Sequence, residues 1–277
     1  MTGYGERLAA LVAERGPLCA GIDPHPSLLT AWGLPVDASG LERCARTMVA
    51  ALGDLVPVFK PQSAFFELHG SAGIAVLERV LGDLRDAGAV SLLDVKRGDI
   101  GSTMDAYAAA YLSDGAPLRA DAITVSPYLG FGSLSGTIEL AEAEDRGVYV
   151  LALTSNPEGR QVQHARAESG RLVAEEIVQA AAAANAGKAY GNVGLVVGAT
   201  IGRTGVDLSG VHGSLLSPGI GAQGGGPKDL VEVFGNALPY VLPSASRELM
   251  SAGPDPIAIR TKAEQMLTQM KATLLVG

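Results

Sequence analysis

Eight short apolar runs recur along the chain: LCAGI (18–22), VPVF (56–59), SLLDV (91–95), AITV (122–125), VYVLAL (148–153), VGLVVGA (193–199), SLLSPGI (214–220) and YVLPS (240–244). Each is too short and too rich in β-branched residues for a helix. Their lack of clean alternation is the pattern of strands buried on both faces. Most are separated by segments of helical period. In GIAVLERVLGDLRDAG, Ile74, Leu77, Leu81 and Leu84 fall on one face. A second long helix is predicted over roughly 164–186, with Gly187 as its C-terminal stop. Residues 3–15 interleave acids and bases at helical spacing, unlike a signal segment, and predict the first helix of the mature protein.

Strands flanked by helices pair in parallel, and eight such units in one chain predict an α/β fold of the (β/α)8, or TIM-barrel, type. A doubly wound open sheet is the alternative. It would carry fewer strands and a Gly-rich turn after the first, and no G-x-G-x-x-G follows LCAGI. With no second composition regime and no low-complexity linker, residues 1–277 are expected to form a single domain. The connection at 202–212 is short and Gly-rich, so the helix after the sixth strand is expected to be vestigial.

Composition narrows the function classes. The formal charge of −8 excludes a non-specific nucleic-acid binder, which needs a basic face. No apolar run reaches the roughly 20 residues of a membrane span, so no membrane partner is expected. The two cysteines, Cys19 and Cys44, fall in a buried strand and a helix, as inert thiols do in a reducing compartment, and a cytoplasmic location is expected. His25, His69, His164 and His212 have no metal-ligand spacing.

In a β/α barrel the chemistry sits where strands end. Asp23 follows the first run, Lys60 the second, and Asp94 and Lys96 end the third. Ser126, then Thr154, Ser155 and Asn156, then Pro218 with the loop GIGAQGGGP, and Ser246 with Arg247 complete the census. Two of only six lysines in the chain therefore lie at strand ends. Residues 94 and 96 are two apart, so on a strand their side chains project together while Val95 packs outward, and Asp99 falls in the loop beyond. A carboxylate beside an ammonium holds it charged and aimed, which suits a proton donor. The same residues would equally serve as an ion-pair network closing the mouth. Read singly, Lys60 is an ordinary surface lysine and Asp23 a turn former before proline. The convergence of polar ends favours the catalytic reading. The Gly-rich loop after strand seven, carrying Gln223, and Arg247 after strand eight occupy the usual phosphate position of such barrels, although the loop alone would pass for a mobile surface segment.

The stretch DVKRGDI (94–100), with its D-x-K-x-x-D-I pattern, resembles the signature of the orotidine 5′-phosphate decarboxylases, in the longer bacterial branch of that family. GIDP (21–24), FKPQ (59–62), LTSNPEG (153–159), SPGIGAQGG (217–225) and Ser246-Arg247 extend the resemblance over essentially the whole chain. It implies conversion of orotidine 5′-phosphate to uridine 5′-phosphate and carbon dioxide, the last step of de novo UMP biosynthesis. It also implies no cofactor, no metal, and a homodimer with active sites at the interface. Lys60, Asp94 and Lys96 would come from one subunit and Asp99 and Thr103 from the other. Lys96 would protonate the ring. Asp23 would bind ribose hydroxyls, Ser155 the pyrimidine edge, Gln223 base and phosphate together, and Arg247 the phosphate, with Pro218 and Ser246 beside the substrate. Two departures stand out: Glu248 follows Arg247 where a small residue is expected, and segment 201–213 lacks a regular helix.

Two other functions compete. A magnesium-dependent decarboxylase or aldolase acting on a sugar phosphate shares the D-x-K pattern, but places a metal-binding carboxylate where this chain has Lys60. A non-catalytic nucleotide sensor would have no need of a proton donor.

Overall fold

The computed structural model describes residues 3–274. Eight parallel strands close into a barrel in chain order: β1 (Cys19–Ile22), β2 (Val58–Pro61), β3 (Val90–Arg97), β4 (Ala122–Val125), β5 (Gly147–Leu153), β6 (Val193–Val197), β7 (Leu215–Pro218) and β8 (Val241–Ala245). All eight apolar runs are strands, and closure through pairing of β1 with β8 excludes the open sheet.

Strand periodicity sorts the side chains into two cores. Residues facing the barrel interior, among them Cys19, Val58, Leu92, Ala122, Tyr149, Val196, Leu216 and Leu242, form a small inner cluster. The intervening residues, such as Phe59, Leu93, Ile123 and Val197, pack outward against the helices. The opening helix Tyr4–Arg15 closes the base of the barrel. Its Tyr4 hydroxyl meets that of Tyr149 at 3.0 Å, and Leu8 is fully buried beside it. Burial of a leucine of this kind contributes about 1.5–3 kcal/mol. Gly147 is required here, since a Cβ would lie 2.3 Å from the Tyr4 ring.

The amphipathic segment at 70–86 is a helix, with Leu77, Leu81 and Leu84 buried and Ile74 half-buried. The long helix expected over 164–186 begins only at Val173 and runs to Ala184. Before it, Arg166 and Leu172 bridge in antiparallel fashion around Gly170, whose φ of 83° reverses the chain. The helical period of 164–172 is overridden by that hairpin. After β6 only a single 3-10 turn, Ser209–Val211, replaces a helix, as the Gly-rich spacing predicts.

Candidate active site

The inner face of each strand continues toward the C-terminal end in steps of two. Above Val58 comes Lys60, above Leu92 comes Asp94, and above Ala122 comes Thr124. Apolar layers thus give way to three polar side chains at one level, all buried. The Asp94 carboxylate is the centre. Its Oδ1 accepts from Lys96 Nζ at 2.6 Å and from the Thr124 hydroxyl at 2.7 Å. Its Oδ2 accepts from Gln62 Nε2 at 2.8 Å and from Lys60 Nζ at 3.1 Å. Asp23 lies 3.9 Å beyond Lys60, so cations and anions alternate across the mouth.

This pattern sets the protonation states. Burial alone would raise the Asp94 carboxyl. The charges of Lys60 and Lys96, with hydrogen bonds from Lys96 and Thr124, outweigh it and hold the group well below the usual carboxylate range. Burial likewise opposes the charge on Lys60, but Asp23 and Asp94 keep its ammonium above the ordinary lysine value. Ionised Asp94 therefore stabilises the fold above the ordinary carboxylate pKa of about 4, a contribution lost as pH falls through its depressed value. The Lys60 contribution is complete below about pH 10 and lost as pH rises through its raised value. Both groups are charged throughout the neutral range.

Lys96 departs from regular strand geometry. Its φ of 46° is left-handed, and the register with β4 shifts between Leu93 and Arg97. Such a backbone costs of order 1–3 kcal/mol in a non-glycine residue and persists only where its surroundings enforce it. Here the Lys96 amide donates to Thr124 Oγ1 at 2.9 Å, and the Ser126 amide to the Arg97 carbonyl at 2.7 Å. The Lys96 side chain remains half-exposed, its ammonium reaching back over Asp94.

A cavity of 240 Å³ opens above the array, lined by Asp23, Lys60, Asp94, Lys96, Ser155, Pro218 and Gln223 among others. A wider one of 630 Å³ shares Asp23, Asp94, Lys96 and Gln223 and adds Arg247. Asp23 Oδ1, the oxygen that faces Lys60, is buried and makes no hydrogen bond among the described residues. The Gly-rich loop is an ordered turn. Gly221 N donates to the Gly225 carbonyl at 2.9 Å and Gly225 N to the Gly219 carbonyl at 3.0 Å. Gly219, Gly221 and Gly224 have φ of 110°, 74° and 87°, which side-chain-bearing residues rarely adopt. Glu248 turns behind the loop, packs close to Gly221 and pairs with Lys262.

Of the residues expected at the site, Asp23, Lys60, Asp94, Lys96, Ser155, Pro218, Gln223 and Arg247 converge on these two cavities. Ser246 is half-buried beside them, its hydroxyl facing the Met250 sulfur. Asp99 and Thr103 line neither cavity. Asp99 Oδ1 accepts from the Ile100 amide at 2.8 Å, and Thr103 is exposed on the first turn of the helix Gly101–Leu112. Gln62 and Thr124 were not anticipated. Their signal was period two: Gln62 follows Lys60, and Thr124 is the inward position after Ala122.

Residues 16–259 match the family described as Orotidine 5'-phosphate decarboxylase / HUMPS. The chain belongs to that family. Curated orotidine 5′-phosphate decarboxylases from Salinispora tropica and Streptomyces coelicolor are 58% and 52% identical to it over 275 residues, 99% of each chain. The crystal structure of a Streptomyces avermitilis homologue superposes with a TM-score of 0.97 at 53% identity, covering 100% of this chain and 97% of that one. A Leishmania donovani OMP decarboxylase is 31% identical with a TM-score of 0.78, each chain fully covered.

Proposed function

We propose that the barrel mouth converts orotidine 5′-phosphate to uridine 5′-phosphate and carbon dioxide without a metal or cofactor. The observation that carries this reading is the alternation Asp23, Lys60, Asp94, Lys96, with Lys60 and Asp94 buried, at the floor of a cavity whose outer wall carries Gln223 and Arg247.

Breaking the C6–carboxylate bond leaves an electron pair in the ring plane, with no adjacent group to accept it. Stabilisation must come from fixed charge, and a proton must then be delivered to C6. Lys96 does both: its ammonium opposes the growing negative charge, and its N–H proton forms the new C6–H bond. Asp94 faces the substrate carboxylate and disfavours it relative to a transition state in which it is departing. Lys60 keeps Asp94 ionised. Asp23 accepts from the ribose hydroxyls, and Ser155 reads the pyrimidine edge. Accelerations of this class need roughly 20 kcal/mol, more than one lysine supplies. Phosphate held by Arg247, with Gln223 drawn over the base, contributes binding energy away from C6 and excludes water from the array.

The completed site draws on a second copy of the chain. Asp99 and Thr103 line neither cavity of their own chain, and Ile100, Tyr107, Tyr128 and Leu129 are exposed on the segments that follow β3 and β4. An apolar rim of this kind beside the mouth supports a homodimer in which the partner's Asp99 aligns Lys96 and the partner's Thr103 reaches the ligand.

The deciding experiment follows the absorbance of orotidine 5′-phosphate with metal-stripped protein in excess chelator. Full turnover is expected; activity that needs added magnesium would transfer the chain to the sugar-phosphate branch. For the pyrimidine contact, Ser155→Ala is expected to lower kcat/KM by about tenfold to hundredfold with an unchanged melting temperature. An unaltered kcat/KM would remove Ser155 from the site.

A further inference from the structure

Thr124 has no place in the reaction described above, yet it is the one side chain that joins the two features on which the array depends. Thr124 is 1% exposed on β4, and its hydroxyl acts as both donor and acceptor. It donates to Asp94 Oδ1 at 2.7 Å and accepts the Lys96 amide at 2.9 Å. The donation fixes the rotation of the carboxylate, so that Oδ1 is shared by the Thr124 hydroxyl and the Lys96 ammonium while Oδ2 faces Lys60 and Gln62. The acceptance pins the amide of the residue whose φ is 46°. A single hydroxyl thus sets where the ammonium starts, through the backbone, and where it is anchored, through Asp94.

The direction of the proton matters. Lys96 N–H can only donate, so the Thr124 oxygen must accept from it, and its own hydrogen is left with the carboxylate as its acceptor. The Asp94 carboxylate, held ionised by Lys60 and Lys96, supplies that acceptor. Valine has the same shape and offers neither bond: it would leave a buried amide unpaired and deprive Oδ1 of a donor. Without the pin, the strained backbone at Lys96 can relax toward regular strand geometry, carrying Nζ away from the position above Asp94.

We propose that Thr124, which lines the inner cavity, is a positioning residue for decarboxylation, acting through Lys96 and Asp94. This rests on the orotidine 5′-phosphate reading, and the two fail separately. If the unaltered protein does not turn over orotidine 5′-phosphate, the function is wrong; if it does, the variants below decide Thr124.

Thr124→Val, Thr124→Ala and Thr124→Ser are compared by steady-state kinetics and by titration with uridine 5′-phosphate. The valine and alanine variants are expected to lose about thirtyfold to hundredfold in kcat while KM and product affinity stay within about threefold. Serine, which restores the hydroxyl, is expected to return kcat to within about fivefold of the parent. Alanine gives the same reading should valine prevent folding, since it removes the methyl groups as well. Retention of kcat within about threefold in valine or alanine would overturn the proposal. So would parallel loss of kcat and product affinity, which marks a general collapse of the mouth, or failure of serine to rescue.

Discussion

Replacement of Lys96 by alanine is expected to slow turnover of orotidine 5′-phosphate by at least about 10⁴-fold while uridine 5′-phosphate still binds within about tenfold of the parent. The argument is positional. Lys96 lies at the floor of the cavity and half-exposed, whereas the groups assigned to the ribose phosphate, Asp23, Gln223 and Arg247, sit on other strands and loops. Truncation removes the proton donor and the charge that opposes the ring anion, both of which act in the transition state. Asp94 keeps Lys60, Gln62 and Thr124 as partners, so the carboxylate stays ionised and the pocket stays folded. Product affinity is measured by titration and turnover by the ultraviolet change of the pyrimidine. Near-full turnover would falsify the proton-donor role.

Mixing two inactive variants is expected to restore activity. If each site takes Lys96 from one chain and Asp99 from the other, Lys96→Ala and Asp99→Asn homodimers are both dead. In a mixed dimer one site is doubly damaged, and the other has native Lys96 and native Asp99. Random re-association of equal amounts makes half the dimers mixed, so about a quarter of all sites are restored. The check is activity after joint unfolding and refolding, or after prolonged co-incubation, against each variant alone. No recovery, with mixed dimers demonstrated by differential tagging, would return Asp99 to its own subunit and leave the exposed rim at Ile100 and Tyr128 without this role.

Most of the fold was legible because strand and helix periods are local properties. All eight apolar runs became strands in the predicted order, and the missing helix at 202–212 followed from its glycines. The start of the helix at Val173 was not legible. A helical period across 164–172 carries no information about the Arg166–Leu172 bridge that forms instead. At the site, spacing placed Asp94 and Lys96 together, but period two does not foretell a left-handed residue at position 96. Only a neighbouring strand, offering Thr124 to its amide, makes that conformation tenable.

By itself the sequence determined the barrel, the level at which its chemistry sits and the residue types found there, because those depend on side-chain period and on charge placed at strand ends. The tertiary structure alone decided how the charges share one carboxylate: four donors from Lys60, Gln62, Lys96 and Thr124, drawn from three strands and one strand-end residue, converge on Asp94. It also decided that Glu248 turns behind the Gly-rich loop toward Lys262, while Arg247 lines the wider cavity. Hydrogen bonds act over a few ångströms and between residues tens of positions apart, so their pairing is set by barrel closure and register.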